Sequence, residues 1–144
     1  MKRIESENQT NGGTFAGSVL ARKSYLALNL AVYALFALGF FIAPVTLAGK
    51  IGITLQHSAA LADLRAVYGG LSLGIGALIV LGLTQKTHTL SAVILCMLAS
   101  AGLLLGRLVT MILDGPGDIY IYGSMALEVL AVILGVLLIR GRSE

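Results

Sequence analysis

Ionisable side chains stand inside the apolar stretches of this 144-residue sequence, where a charge is costly and points to a specific purpose. Arg107 and Glu128 each lie within a long run of hydrophobic residues. An unpaired charge at such a depth would cost several kcal/mol, so we expect the two to form an ion pair. Such a pair either fixes the register of two helices or forms part of a binding site.

Further polar residues at helical spacing extend this pair into a candidate pocket. Residues three and four apart share one stripe of a helix, and Arg65, Tyr68 and Ser72 follow these steps. At about 1.5 Å per residue, Tyr68, Arg107 and Glu128 lie roughly 6 to 12 Å below helix ends on one side. Three helices are therefore expected to direct polar groups into one layer. The candidate pocket comprises Arg65, Tyr68, Ser72, Ser100, Arg107, Asp114 and Glu128.

The chemistry of these groups suits an amphiphile. Two arginines and a tyrosine hydroxyl match an anionic or carbonyl-bearing head group, with Asp63 and Asp114 as possible partners of Arg65. The favoured hypothesis is a non-catalytic membrane protein that binds a lipid-like molecule or docks a membrane partner. The second is a membrane enzyme with Glu128 as acid/base and Tyr68 as proton donor. The third is a proton-linked transporter in which Glu128 titrates.

No catalytic, cofactor or metal site is predicted. The topology derived below separates His57 from His88, so they cannot share a metal, and Asp114 with Asp118 is too small a set for calcium. No zinc spacing, phosphate loop, CxxC pair or hydrolase elbow occurs. Cys96 is the single cysteine, so it cannot form an internal disulfide.

Composition indicates that the surrounding solvent is lipid. Hydrophobic residues make up 57 % of the chain and charged residues 12 %, against about 45–50 % and about 25 % in soluble domains. The mean hydropathy is +0.92. These values exclude a soluble enzyme, a disordered tail and a disulfide-stapled secreted module.

Four apolar segments are long enough to cross a bilayer as helices. They span residues 25–47, 64–83, 90–113 and 120–139. Because no backbone polar group can stay unpaired in lipid, we predict an all-α fold, a four-helix antiparallel transmembrane bundle. Residues 24–140 would form this single domain, with polar cytoplasmic tails at 1–23 and 141–144.

The net charge of +3 reports orientation rather than a nucleic-acid partner. Seven of the ten cations stand at alternate span boundaries and so indicate the orientation: Lys2, Arg3, Arg22, Lys23, Lys86, Arg140 and Arg142. Cytoplasmic ends carry such charges, so both termini are predicted to be cytoplasmic and the protein to lie in the inner membrane. No basic face is interleaved with aromatic residues, and no nucleic acid is expected as a partner.

Small residues four apart predict where helices approach closely. The pairs are Gly70 with Gly74, Gly102 with Gly106, and Ala27 with Ala31, while Ser124 and Gly135 share a face of the last span. Two interpretations stay open: packing within the chain, which is favoured, or an interface with a second copy or a membrane partner. Membrane lipids or a lipid-like small molecule are the other expected partners.

The segment Arg65-Ala-Val-Tyr68-Gly69-Gly70, with Gly106-Arg107-Leu108, Asp114-Gly115 and Glu128, resembles a bacterial family of small four-span membrane proteins. This family is known as a domain of unknown function. The resemblance covers about Tyr25 to Ile139. It implies the same fold and topology, and it implies that the arginine, tyrosine and glutamate set belongs to the family pattern, but it supplies no reaction.

Overall fold

The computed structural model describes the backbone of residues 2–141 and the side chains of residues 19–141. The helices are α1 (Lys2–Ile42), α2 (Pro44–Lys50), α3 (Ser58–Leu64), a π-helical turn (Arg65–Gly70), α4 (Leu71–Thr84), α5 (Thr89–Leu113) and α6 (Ile119–Arg140). Four stretches have the length and hydropathy to cross a membrane: Val19–Ile42, Ser58–Thr84, Thr89–Leu113 and Ile119–Arg140. The predicted all-α class is confirmed, and the chain is an integral multi-pass membrane protein.

Two helical hairpins make up the bundle. Helix α5 packs most extensively against α6, and α1 against α4, while α4 and α5 join the two halves. We call the end where α4 turns into α5 the Lys86 end, and the end where α5 turns into α6 the Asp114 end. Helix α1 runs towards the Asp114 end, because Tyr25, near the start of its span Val19–Ile42, contacts Ala131 in the second half of α6.

The first predicted span, residues 25–47, is divided in the structure. Proline disfavours helical geometry in the preceding residue, and Ala43 adopts φ −132° and ψ 52° before Pro44. Helix α1 therefore ends at Ile42, and Pro44 opens the short helix α2, where its missing N–H is no loss. At its other end α1 begins at Lys2, so helical backbone extends through most of the segment predicted as a polar tail. Residues 142–144 of the second predicted tail lie outside the described residues.

The second span begins earlier than predicted and contains an extra residue in one turn. Helix α3 starts at Ser58 rather than near residue 64, and it leads directly into the π-helical turn. The amide of Leu71 donates to the carbonyl of Ala66, five residues earlier. The π-turn also docks on the end of α1, where a Cβ at Gly69 would lie 3.4 Å from the ring of Phe41.

This turn overturns the predicted stripe of Arg65, Tyr68 and Ser72. Buried positions step by five from Leu64 to Gly69 and then return to helical steps at Ser72. Arg65 and Tyr68 are exposed, whereas Ser72 is buried. A π-turn accommodates one additional residue, so side chains before it are rotated relative to those after it. The prediction from residue spacing assumed an uninterrupted α-helix, and the π-turn makes that assumption wrong here.

Close packing is concentrated towards the Lys86 end. The larger buried cluster there comprises Tyr25, Leu26, Ile79, Ala92, Val93 and Cys96. A smaller cluster at the Asp114 end comprises Phe40, Ala48 and Leu64, and it draws on α1, α2 and α3. No residue from 101 to 127, all of them described, is buried. The α5–α6 hairpin therefore packs mainly on itself near the Asp114 end.

Glycine positions show which surfaces meet within the chain. A Cβ at Gly82 would overlap the Cβ of Ala92, and one at Gly135 would lie 2.7 Å from the Cβ of Met97. Around Gly102 and Gly106, by contrast, a Cβ would meet nothing within 4 Å. The same holds at Gly74, and Ala27 and Ala31 are exposed. Packing within the chain, the favoured interpretation, therefore holds at Gly135 but not at Gly74, Gly102 or Gly106.

Paired glycine substitutions test this arrangement. We expect Gly82→Ala to lower the free energy of unfolding by about 1–3 kcal/mol, because the added methyl group overpacks the α4–α5 contact. Gly102→Ala adds the same methyl group to an open surface and should leave stability unchanged or raise it by up to about 1 kcal/mol. Denaturation in detergent micelles, followed by circular dichroism, measures both. Equal losses in the two variants would contradict the packing described.

Candidate functional site

The centre of the site is an ion pair between α5 and α6. Nε of Arg107 donates to Oε1 of Glu128 at 2.9 Å, so the pairing predicted from the sequence is present. The glutamate side chain is only 10 % exposed, whereas the arginine side chain is 35 % exposed. The carboxylate thus lies inside the bundle and the guanidinium lies at its boundary.

Small residues on α6 allow the carboxylate to approach α5. Ser124, Ala131 and Gly135 lie on the same face as Glu128 and are buried or half-buried. Since a Cβ at Gly135 would already crowd Met97, glycine is what permits the close contact of the two helices. Gly135 lies about two helical turns from Glu128. It therefore sets the separation of α5 and α6 at which Arg107 and Glu128 meet.

The turn before α6 fixes where that helix begins. Gly115 adopts a φ of 102°, a conformation that side-chain-bearing residues rarely take. Oδ1 of Asp118 then accepts hydrogen bonds from the amides of Tyr120 at 3.1 Å and Ile121 at 3.0 Å. This N-cap sets the helical register of α6 and hence the face on which Glu128 stands.

Hydrogen-bonding capacity is left unused on both sides of the pair. Oε2 of Glu128 is buried and has no hydrogen-bond partner among the described residues. In the same part of the chain, the only bond of Arg107 is the one from Nε, so its two terminal amino groups donate to nothing. A buried acceptor without a partner is unusual in a native structure and calls for an explanation.

Two further predicted residues, Ser72 and Ser100, are buried at a similar height. Counted from the Lys86 end at about 1.5 Å per residue, Ser72, Ser100 and Glu128 all lie at roughly 16 to 18 Å. Neither hydroxyl is hydrogen-bonded to the ion pair in the described residues. The serines supply small polar groups in the same layer, on α4 and α5.

The structure does not join Arg65, Tyr68 and Asp114 to the ion pair. All three are exposed, and the described residues contain no ion pair of Arg65 with Asp63 or Asp114. Tyr68 instead stacks on Phe40, with ring centroids 4.7 Å apart. For Arg65 and Tyr68 the π-turn is the physical reason, since it directs these two side chains away from the buried stripe, whereas Asp114 lies at the exposed end of α5.

An open cavity of about 270 Å³ lies beside the π-turn at the Asp114 end. Its lining residues are Ile53, Leu55, Ala60, Asp63, Leu64, Val67 and Tyr68. Apolar side chains dominate, with a carboxylate and a phenol at the edge. Of the predicted pocket, only Tyr68 belongs to this cavity, so the cavity and the ion pair are separate features.

Residues on α1 that the sequence reasoning left out of the site hold α6 in place. Arg22 donates to the carbonyl of Leu138 at 2.9 and 3.1 Å. The hydroxyl of Tyr25 donates to the carbonyl of Ala131 at 3.1 Å. Hydrogen bonds between helices stabilise bundles in lipid. Arg22 and Tyr25 are three residues apart and so share one face of α1, and this spacing was the signal that could have identified them.

Asn29 and Tyr33 continue the same face of α1. The amide of Asn29 donates to the carbonyl of Tyr25 at 2.9 Å, within α1. Tyr33 is half-buried and packs against the larger buried cluster, which includes Cys96. This face of α1 therefore contributes polar residues to the packed interior of the bundle.

Metal-binding side chains do not cluster in the part of the chain that the structure describes. No group of three His, Cys, Asp or Glu side chains there could hold a metal ion. His57 and His88 are exposed on loops, and Glu128 has Arg107 rather than another carboxylate beside it. The side chains around Glu128 therefore offer charge-assisted hydrogen bonds rather than coordination of a metal ion.

A double-mutant cycle tests the energetic role of the pair. Arg107→Leu and Glu128→Leu alone should each lower the free energy of unfolding by about 3–5 kcal/mol, because each leaves a charge uncompensated. The double variant should be closer to the wild-type protein than either single variant. Denaturation in micelles provides the three values, and strictly additive losses would show that the two charges do not interact.

Comparison with known proteins identifies the family. No curated protein and no solved structure matches the chain significantly. The model of a family described as "Domain of unknown function (DUF4345)" matches residues 21–139, which include all four candidate spans except their outermost residues. Because this match covers most of the sequence, the chain belongs to the DUF4345 family.

Proposed function

We propose that this multi-pass membrane protein is a non-catalytic binder of a lipid-like amphiphile, whose head group is held at Arg107 and Glu128. The observation that carries the proposal is the unused hydrogen-bonding capacity of a buried ion pair. Polar groups at this depth in lipid are expensive, and most of them serve a function. A head group that bonds to them would remove the cost of leaving them unsatisfied.

Access to the ion pair from lipid supports this role. The pair lies where close packing at the Lys86 end gives way to the unburied stretch 101–127. Arg107 is one-third exposed, and Leu103, one turn earlier on the same side of α5, is exposed as well. An apolar tail can therefore lie along α5 while the head group reaches the guanidinium.

The enzyme and transporter hypotheses receive less support. A general base must reach its substrate, but Glu128 has one oxygen bonded to Arg107 and the other enclosed. A transporter needs a polar route to the Lys86 end. The groups found there donate to backbone carbonyls: Arg22 and Tyr25 join α1 to α6, and Asn29 bonds within α1.

We also infer the orientation of the protein in a bacterial inner membrane. Arg22, Lys23, Lys86 and Arg140 all lie at the Lys86 end, as the positive-inside rule requires of a cytoplasmic side. The Asp114 end, with the ion pair in its half of the bundle, would then face away from the cytoplasm. The ligand would be drawn from the outer leaflet.

Cysteine labelling tests this orientation. Gln56 and Thr87 are exposed on loops at opposite ends of the bundle. In intact bacterial cells, a membrane-impermeant maleimide should label Gln56→Cys, and it should label Thr87→Cys only after the inner membrane is opened. Buried Cys96 provides the unlabelled background. The reverse pattern would overturn the orientation.

Native mass spectrometry of gently extracted protein tests the binding proposal. We expect a specific lipid-like molecule to copurify with the wild-type chain and to be lost, by at least about tenfold, in Arg107→Ala, because a charge-assisted hydrogen bond is removed. Lys86→Ala removes a cation far from the site and should retain the molecule. Unselective lipids that Arg107→Ala leaves unchanged would end the proposal.

A further inference from the structure

Glu128 and Arg107 differ in the kind of bond that each still lacks. Among the residues that the structure describes, Oε2 of Glu128 is an acceptor without a donor, and the terminal amino groups of Arg107 are donors without an acceptor. We propose that the ligand's head group is uncharged and carries a hydroxyl beside a carbonyl oxygen, the hydroxyl donating to Glu128 and the carbonyl accepting from Arg107. This inference deepens the proposed function and rests on it.

The charge balance of the site favours an uncharged head group. Arg107 and Glu128 already neutralise each other, so a bound anion would leave net negative charge within the membrane. A phosphate or carboxylate would also bring acceptor oxygens close to Oε2, which is itself an acceptor, and the two would repel. An arginine without its glutamate would favour the anion instead.

Burial restricts what can satisfy Oε2. This oxygen is enclosed, and the approach to the site is on the side of the partly exposed guanidinium. A hydroxyl is the smallest donor that an amphiphile can insert between α5 and α6, and it pairs with a carboxylate through a short, charge-assisted bond. The carbonyl then remains near the boundary, within reach of the two terminal amino groups of Arg107.

Four probes with the same oleyl or oleoyl chain separate the contributions of the hydroxyl, the carbonyl and the head-group charge to binding by the full-length protein. Monooleoylglycerol offers hydroxyl and carbonyl, methyl oleate only the carbonyl, and oleyl alcohol only the hydroxyl. Oleoyl lysophosphatidic acid adds an anionic phosphate to the hydroxyl and carbonyl, so it tests the charge. Titrations by native mass spectrometry should give monooleoylglycerol at least about tenfold tighter binding than each of the other three, since one charge-assisted hydrogen bond is worth that factor or more.

Glu128→Gln tests the acceptor while keeping the size of the side chain. We expect it to reduce the preference for monooleoylglycerol over methyl oleate by about tenfold and to raise binding of the lysophosphatidic acid, because Arg107 is then an uncompensated cation. Ser124→Ala is the matched control on the same face of α6. Its hydroxyl bonds to the carbonyl of Tyr120 at 2.8 Å, so the ranking of the probes should not change.

Two failures are distinguishable. If the wild-type protein binds the lysophosphatidic acid most tightly, and Arg107→Ala abolishes this, the neutral-ligand inference is overturned while amphiphile binding stands. If no probe is distinguished from the others and Arg107→Ala changes nothing, the proposed function falls as well. Should Glu128→Gln fail to fold by circular dichroism, the ranking of the four probes on the wild-type chain still decides the inference.

Discussion

The cost of a charge in lipid is the constraint on which the rest of this structure depends. Glu128 can be buried at mid-bundle only because Nε of Arg107 lies 2.9 Å from it, and this contact requires α5 and α6 to pack closely in one register. Gly135 allows that closeness and Asp118 sets the start of α6. Electrostatics, packing and capping thus agree on the same arrangement of the hairpin.

The π-turn divides the second span into two parts whose side chains face different directions. Before it, Arg65 and Tyr68 face outward beside the apolar cavity, and Tyr68 stacks on Phe40. After it, Ser72, Gly76 and Ile79 face the interior of the bundle. Single π-turns interrupt α-helices frequently at functional sites. Here the turn coincides with the Arg-x-x-Tyr-Gly-Gly segment, which gives that motif a structural role.

Glycine serves opposite purposes in different parts of the bundle. Gly82 and Gly135 are positions where no Cβ fits, so they draw helices together towards the Lys86 end. Gly102 and Gly106 face open space on the side of α5 that runs to the Asp114 end. The chain is therefore closed at one end and loosely covered at the other, and the ion pair lies at the boundary between the two.

The sequence by itself determined the all-α class, the four spans and the pairing of Arg107 with Glu128, because lipid leaves backbone bonds and charges few alternatives. Tertiary structure decided the rest. The break before Pro44, a local effect, was open to sequence reasoning and was missed. The π-turn, the outward-facing Gly102 and the unpartnered Oε2 of Glu128 were not open to it, because helical spacing specifies which residues share a face only while the helix is regular, and never which face meets a neighbour.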